Sequence, residues 1–254
     1  METHEYQTLY ELEESYWWYV ARRRLVKEML ERACGNGKGR KLLDIGCGTG
    51  ANAKALEELG TVLAADASEQ ALQFCRARGL QHTVASLSEQ MGVRTESLDV
   101  VTALDVLEHV DRDVEAMREI LRVLKPGGIL LATVPAFGFL WSEHDEALHH
   151  RRRYTMGELR NKLSLAGFEM ARSTYFITAL FLPILVMRVW QGMVKKSVEP
   201  KTSHVILPRW ANRLIEGILD MERLVCRRIN LPVGVSIVAV ARKPQEEARA
   251  TRKP

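Results

Sequence analysis

The stretch KLLDIGCGTGA, residues Lys41–Ala51, decides the fold of this chain. Lys41–Ile45 is short and mostly apolar, which predicts a buried strand. Three glycines then alternate along GCGTG, so the backbone can turn sharply and pass close to a ligand. Ala51–Leu59 has helical composition, and Gly60 is placed to end that helix. Together these features predict a nucleotide-type site, because a helix N-terminus offers unpaired N–H groups.

Two acids near this turn indicate which nucleotide-type ligand fits. Asp44 stands directly before the glycines, and its carboxylate would repel the pyrophosphate of a dinucleotide or nucleoside triphosphate. The spacing also differs from that of a P-loop, and no Gly-Lys-Ser/Thr follows. Asp66 ends the next apolar run, Thr61–Asp66, where it can accept hydrogen bonds from both ribose hydroxyls. An adenosine ligand that carries an ammonium group suits both acids, and S-adenosylmethionine is such a ligand.

Four motifs, in order, resemble those of the class I S-adenosylmethionine-dependent methyltransferases. They are DIGCGTG, VLAADAS, DVVTALDVLEHV and LRVLKPGGILLATVP, and they extend over roughly Lys41–Ala136. The resemblance implies an α/β fold, a doubly wound Rossmann-like domain with a mainly parallel seven-stranded sheet. It also implies S-adenosyl-L-methionine as the cofactor and methyl transfer as the activity.

The resemblance assigns cofactor contacts to particular positions. Asp44 is expected near the ammonium end, the glycines under the methionyl group and Asp66 on the ribose. Many relatives carry an acid for the adenine amino group where this chain has Ser86 and Leu87. The expected cofactor-binding residues are Asp44, Gly46, Cys47, Gly48, Gly50, Asp66, Ala67, Ser86, Leu87, Leu104 and Arg22, the last as a partner for the methionyl carboxylate.

The rest of the chain divides around this core. We expect an N-terminal helical lid at 1–40, a core at 41–175 and 233–243, a helical insertion at 176–232 and a disordered tail at 244–254. Glycine, proline and capping signals predict further elements. These are the strands His82–Ala85, Leu98–Asp105, Ile129–Val134, Phe168–Tyr175 and Val235–Arg242, a helix Asp111–Leu124 stopped by Lys125-Pro126-Gly127-Gly128, and a helix from Thr155 to Ala166.

The insertion at 176–232 is apolar in its first part and periodic in its second. FITALFLPILVM, residues 176–187, is too short to span a bilayer. It is followed by bases that include Lys195 and Lys196. A buried core or an oligomer interface explains this segment, and so does peripheral membrane contact by an apolar patch flanked by bases. Leu214, Ile218 and Met221 begin a helical repeat that continues to Val225.

The loop WSEHDEALHHRRRY, residues 141–154, follows the predicted fifth strand and carries the polar groups for catalysis. Its spacing resembles a subgroup of these methyltransferases found with bacterial glycan and lipid modification. A hydroxyl acceptor benefits from a positioned base, and we expect His150 as the base with Asp145 as its orienter or as a contact to the acceptor. Arg152 and Arg153 are expected to hold an anionic group of the acceptor, with Tyr154 beside them. The predicted reaction is O-methylation of a hydroxyl on a saccharide or lipid-linked acceptor.

A second constellation, Asp105-x-x-Glu108-His109, resembles the Glu-x-x-Glu-His of ubiquinone-type O-methyltransferases, where a divalent ion assists a catechol. Here the first acid is Asp, and three hard ligands so close together are a weak metal signal, so we assign no metal. A quinone- or phenol-type O-methyltransferase is one alternative. A non-catalytic subunit that binds S-adenosylmethionine is another.

Composition sets the outer limits. The formal net charge is +4 and the sequence pI is about 8.9, but the bases cluster locally, so no nucleic acid is expected as a partner. The four cysteines show neither Cys-x-x-Cys nor metal spacing, and residues 1–15 are acidic without an apolar run. A cytoplasmic protein, in contact with a membrane or a second copy through its insertion, is the expectation.

Overall fold

The fold is built around one mixed sheet of seven strands in the order β3-β2-β1-β4-β5-β7-β6. The computed structural model describes residues 3–35, 39–193 and 207–245. The strands are β1 (Arg40–Ile45), β2 (Gly60–Asp66), β3 (Thr83–Ala85), β4 (Leu98–Leu104), β5 (Leu124–Pro135), β6 (Glu169–Phe176) and β7 (Ser236–Arg242). All neighbours pair in parallel except β7, which runs antiparallel between β5 and β6. This confirms the doubly wound fold and the insertion before the last strand.

Helices cover both faces of the sheet. They are α1 (Thr3–Leu12), α2 (Trp17–Cys34), α3 (Ala51–Leu56), α4 (Glu69–Ala77), α5 (Asp113–Val123), α6 (Glu143–Ala147), α7 (Met156–Ala166), α8 (Phe181–Met193) and α9 (Arg209–Cys226). Apolar side chains of α5 and α7 form one core cluster with one face of the sheet. Those of α2, α3, α4 and α9 form a second cluster with the other face. The result is a three-layer sandwich whose central strands are buried on both sides.

The sheet order places the candidate site. β1 pairs with β2 on one side and with β4 on the other, so the chain reverses its direction of winding between β1 and β4. In open α/β sheets, ligands bind outside the carboxyl ends of the strands at such a switch point. Asp44, near the end of β1, and Asp105, directly after β4, therefore face the same crevice.

Three local predictions needed correction. The predicted single N-terminal helix is two, α1 and α2, separated by a turn at 13–16. Gly60 begins β2 instead of capping a helix, because β1 runs so close that a Cβ there would collide with the carbonyl oxygen of Arg40. Lys125-Pro126-Gly127-Gly128 does not stand outside the sheet: it forms an irregularity within β5, between the pairs Leu98–Leu124 and Val100–Ile129.

Other local predictions were confirmed by the structure. Thr155 and Glu158 form the predicted capping box of α7, with each side chain accepting from the other's backbone N–H. Gly167 ends that helix in the left-handed conformation. The predicted tail at 244–254 falls outside the described residues from 246 onward, and Lys195 and Lys196 also lie outside them.

Candidate active site

The glycine turn after β1 is held in conformations that other residues rarely adopt. Gly46, Gly48 and Gly50 have φ angles of +65°, +54° and +87°. A Cβ on Gly46 would collide with Val106, and one on Gly50 would lie 2.9 Å from Sγ of Cys75. The glycines are therefore required both for the turn and for its close packing against the neighbouring elements.

Asp44 presents a buried carboxylate with one oxygen free. Its residue surface is only 1 % exposed. One oxygen, Oδ1, accepts a hydrogen bond of 2.6 Å from the hydroxyl of Thr102, whereas Oδ2 has no partner among the described residues. Burial raises the pKa of Asp44 to about 7. An orphaned buried carboxylate oxygen fits a ligand that brings a positive charge.

Asp66, at the end of β2, holds the glycine turn in place. Its Oδ2 accepts the N–H of Gly48 at 2.9 Å, and its Oδ1 accepts the N–H of Ser68 at the same distance. Each carboxylate oxygen has a second lone pair. Asp66 can therefore fix the turn and still accept hydrogen bonds from a ribose.

The remaining predicted cofactor residues lie at the carboxyl ends of the same strands. The backbone N–H of Ser86, after β3, donates to the carbonyl of Asp66 at 3.0 Å. Cys47 and Leu104 are buried, whereas Ala67 and Leu87 are exposed. The structure thus brings these positions together along one edge of the sheet.

Arg22, on α2, reaches this edge from the N-terminal segment. Its guanidinium is buried and forms an ion pair with Asp105, whose other oxygen accepts a 2.8 Å hydrogen bond from Thr133. The Nε atom of Arg22 has no partner among the described residues. Part of the guanidinium is therefore available to an anion in the crevice.

The segment between α1 and α2 lies against the glycine turn. Thr49, within the turn, donates a hydrogen bond to the buried carboxylate of Glu13. Arg78 bridges the same region, since its guanidinium donates to Glu13 at 3.0 Å and to the carbonyl of Tyr10 at 2.9 Å. Entry of a ligand onto the turn is thus restricted from this side.

On the acceptor side, Asp145 and His150 form a buried dyad. The Nδ1 atom of His150 lies 2.8 Å from Oδ1 of Asp145. Arg153 grips the same carboxylate through Nε at 2.8 Å and Nη2 at 3.0 Å, and the N–H of Ser142 donates to it at 2.9 Å. Burial alone would raise the pKa of Asp145, but hydrogen bonds from His150 and Arg153 hold it well below the usual range. The dyad therefore keeps an ionised aspartate behind the imidazole.

Glu108, which the sequence only partly indicated, lies close to His150. Glu108 is fully buried, and neither of its carboxylate oxygens has a partner among the described residues. Burial and the charge of Asp105 raise its pKa well above the ordinary value. The ring of His109 stands edge-on to that of His150 at 4.7 Å, and burial, with the nearby His150, lowers the pKa of His109 to about 4.

Ligand atoms of Glu108, His109 and His150 all lie within 4.8 Å of one another. The sequence predicts no metal site, and the three residues that it offers as a weak metal signal are Asp105, Glu108 and His109. The fold instead ties Asp105 to Arg22 and brings in His150 from a distant loop. No local spacing in the sequence could have indicated that exchange.

Three residues expected beside the acceptor have other partners. Arg153 is committed to Asp145. Tyr154 is buried, and its hydroxyl contacts Asp113 at 2.8 Å. Arg152 also pairs with Asp113, at 3.1 Å, and keeps part of its side chain exposed. Arg153 and Tyr154 therefore hold the loop together through partners inside the protein, in place of the acceptor contacts expected for them.

A cluster of aromatic rings, which we call the aromatic ledge, adjoins the loop of residues 141–154 that carries the dyad, which we call the dyad loop. The sequence did not indicate this cluster. The ring of Phe137 stacks on Tyr175 at 5.1 Å and on Phe139 at 5.0 Å, and Phe181 meets it edge-on at 6.0 Å. These rings come from separate elements of the chain, so no spacing in the sequence indicates that they meet.

Comparison with known proteins agrees with this geometry. Residues 43–132 match the methyltransferase domain family. The chain is 32 % identical, over 91 % of both chains, to a probable S-adenosylmethionine-dependent methyltransferase from Mycolicibacterium smegmatis. It is 34 % identical to a ubiquinone biosynthesis O-methyltransferase from Xanthomonas oryzae pv. oryzae, but that match covers only 36 % of this chain and 41 % of the other.

Among solved structures, the fold is similar to that of an S-adenosylmethionine-dependent methyltransferase from Thermotoga maritima. The TM-score is 0.61 at 20 % identity, over 94 % of this chain and 95 % of that one. At this identity the likeness concerns the fold alone.

Proposed function

This chain belongs to the class I S-adenosylmethionine-dependent methyltransferases, and from that premise we propose that it methylates a hydroxyl of a saccharide or lipid-linked acceptor. One observation carries the choice of a hydroxyl. The Asp145–His150 dyad lies on the loop that follows β5, and the ring of His150 contacts that of His109, which follows β4, so the dyad lies near the carboxyl edge of the sheet, where the methyl group is expected. A hydroxyl is a poor nucleophile until a base takes its proton, and the dyad offers such a base.

The cofactor supplies an electrophilic methyl group on a sulfonium when it is bound. The free Oδ2 of Asp44 would accept the ammonium group, and the unpartnered Nε of Arg22 would meet the methionyl carboxylate. Asp66 would accept the ribose hydroxyls while it keeps the turn fixed. Ser86 and Leu87 would border the adenine. The opposite charges of Asp44 and the ammonium group, and of Arg22 and the carboxylate, support the cofactor assignment.

His150 would act as the general base for the acceptor hydroxyl. With Nδ1 donating to the ionised Asp145, the proton-free Nε2 is left to accept the hydroxyl proton. Arg153 compensates the charge of Asp145 through two hydrogen bonds and so helps to fix the orientation of the dyad. A positioned base of this kind contributes about 10²–10⁴-fold in rate.

A second candidate is a metal-assisted phenol or quinol O-methyltransferase. The cluster of Glu108, His109 and His150 favours it, as do the stacked rings around Phe137 and the partial match to ubiquinone biosynthesis enzymes. Here His150 would be a metal ligand. Burial raises the pKa of Glu108, so this carboxyl gives up its proton less readily than an ordinary one, and it must do so before it binds a cation, which weakens this candidate.

The two candidates separate in one experiment. Purified protein is screened with labelled donor against lipid-linked sugars, sugar nucleotides and quinone precursors, with and without a chelator. A general base predicts that His150→Ala lowers kcat by about 10²–10⁴-fold and that the chelator has no effect. His149→Asn is the matched control, since His149 is an exposed neighbour and asparagine tolerates its φ of +56°. If a chelator abolishes turnover and His150→Ala retains it, the base assignment is wrong and the metal candidate is favoured.

A further inference from the structure

Helix α9 packs on the second core cluster with a few apolar side chains and pairs its polar side with α2. Asn212 accepts a 3.0 Å hydrogen bond from the N–H of Trp17. Asp220 pairs with Arg24 of α2 at 2.7 Å, and Arg223 pairs with Glu28 of the same helix. Ionic contacts that usually face water in an amphipathic helix are therefore turned inward here.

The opposite side of α9 is apolar and faces outward. We call Trp210, Leu214, Ile218, Met221 and Val225 the outer face of α9. Exposure is 72 % at Trp210, 59 % at Leu214 and 64 % at Met221. Residues at this spacing form one continuous stripe along a helix. Such a stripe on a soluble domain marks a contact surface.

Within residues 207–230, the exposed charges beside this stripe are positive. Arg209, Arg213 and Arg228 are exposed beside the outer face, whereas no Asp or Glu within the described residues 207–230 is exposed. The acids of α9, Glu216, Asp220 and Glu222, are drawn inward, Glu216 and Asp220 by Arg24 and Glu222 by two backbone N–H groups. The surface is thus both apolar and basic.

Helix α8 adds a second exposed apolar stripe. Leu182, Val186, Val189 and Trp190 are exposed on it, while Phe181 and Ile184 pack on the same core cluster as Ile215 of α9. Among the described residues, neither helix combines the length and apolar character that crossing a bilayer requires. Helices of this kind lie in the interfacial plane of a membrane.

We propose that the outer face of α9, together with the exposed stripe of α8, docks on a membrane surface rich in anionic lipid. Apolar side chains would enter the headgroup boundary, and the flanking arginines would meet lipid phosphates. A second copy of the chain fits less well. In a two-fold interface the same patch meets itself, so Arg213 and Arg228 would face equally basic surfaces without an exposed acid to pair with them.

The docked helices connect to the dyad loop. Arg188 of α8 donates a hydrogen bond to the hydroxyl of Ser142, and Ser142 in turn donates its N–H to Asp145. Phe181 of α8 also contacts the aromatic ledge at Phe137. Docking would therefore bring the loop that holds His150 to the bilayer. There the loop could receive a lipid-linked acceptor, and only this step rests on the proposed function.

Vesicle sedimentation tests the docking without any acceptor. The probes are vesicles of phosphatidylcholine alone and of phosphatidylcholine mixed with phosphatidylglycerol. Wild type should sediment with the mixed vesicles and less at high salt. A Trp210→Gln/Leu214→Gln double variant should bind them about tenfold or more weakly, and Arg213→Glu roughly fivefold or more weakly.

Leu165→Gln is the matched control. Leu165 is an equally exposed leucine on α7, on the other side of the sheet, so its replacement should leave vesicle binding unchanged. Binding of S-adenosylhomocysteine verifies that each variant is folded. Equal sedimentation of wild type and the double variant would overturn the proposal. The proposal would also be overturned if wild type formed a dimer and did not bind vesicles, while the double variant was a monomer. Methyl transfer without vesicle binding would leave the proposed function standing and remove only the docking.

Discussion

The cofactor edge around Asp44 and the loop around Asp145 each bury an aspartate, but the two carboxylates are treated in opposite ways. Asp44 has one hydroxyl partner and a free oxygen, and burial raises its pKa to about 7. Asp145 is gripped by Arg153, by His150 and by the N–H of Ser142, and its pKa is held well below the usual range.

We propose that this difference separates a group that binds the cofactor, Asp44, from a group that positions a side chain, Asp145. The charge of Asp145 is already compensated by Arg153, so the role we propose for it is to keep His150 oriented. Asp44 has no ion-pair partner among the described residues, so ionised Asp44 would be stabilised by a cationic ligand. The same residue type therefore serves a ligand in one region and the fold in the other.

The largest expected effect is on stability at the loop. Asp145→Ala leaves the buried Arg153 without its partner, and removal of one member of a buried ion pair costs about 3–5 kcal/mol. Urea unfolding should show that loss. Glu146→Ala, on the same helix, is the control and should change the free energy of unfolding by less than about 1 kcal/mol. Equal changes in both variants would show that Asp145 is not buried and paired as described.

A second prediction concerns pH at the cofactor edge. Because the folded pKa of Asp44 is raised to about 7, the free protein holds a proton there below pH 7. Binding of an ammonium group must then displace that proton, so cofactor affinity should fall about tenfold for each pH unit below 7. Calorimetry from pH 8 to 5.5 checks this. A profile that stays flat in wild type would contradict the raised pKa, and Asp44→Asn should itself remove the slope.

The unliganded protein should respond to pH in the opposite sense. A raised folded pKa means that protonation of Asp44 stabilises the free fold, increasingly as pH falls from 7 toward 4. Asp145 behaves differently, because a lowered folded pKa contributes stability above pH about 4 that is lost in stronger acid. Urea unfolding of Asp44→Asn against wild type at pH 5 and 7.5 should isolate the first contribution.

The smallest expected effect is at Arg152. Its contact with Asp113 is partly exposed, so Arg152→Ala should cost no more than about 1 kcal/mol of stability. Since Arg152 does not touch the dyad, kcat should be kept, and a raised KM for anionic acceptors is the expected change. Arg151→Ala, at an exposed neighbour, is the control. A loss of kcat as large as that of His150→Ala would place Arg152 in the catalytic step.

The cofactor edge could be predicted from the sequence because its geometry is local. The three glycines and Asp44 lie within seven residues, and their φ angles alone require glycine. The Asp145–His150 pair was also within reach, since one short helical turn connects the two. The Glu108–His150 approach was not, because it depends on how the loop after β5 folds back over β4.

Helix α9 shows a different limit of sequence reasoning. Leu214, Ile218 and Met221 predict a helix correctly, but their side chains are the exposed ones. Periodicity identifies an apolar stripe and does not say what covers it. Other apolar residues of α9, Ile215, Leu219 and Cys226, pack on the core. The polar side of the helix pairs with α2, where the partner of Arg223, Glu28, is 195 residues away in sequence, so the predicted stripe is left facing outward.

We propose that Asp44 binds the cofactor and that the Asp145–His150 dyad serves the acceptor. This division of roles is tested most directly by titrating S-adenosylhomocysteine, which keeps the ammonium group, into wild type, Asp44→Asn and His150→Gln at pH 7.5. Loss of a charge-assisted hydrogen bond of about 1.5–3 kcal/mol should raise Kd roughly 10- to 150-fold in Asp44→Asn, while His150→Gln should match wild type. If Asp44→Asn bound like wild type, or if both variants lost affinity equally, the division of labour between the two aspartates would be contradicted.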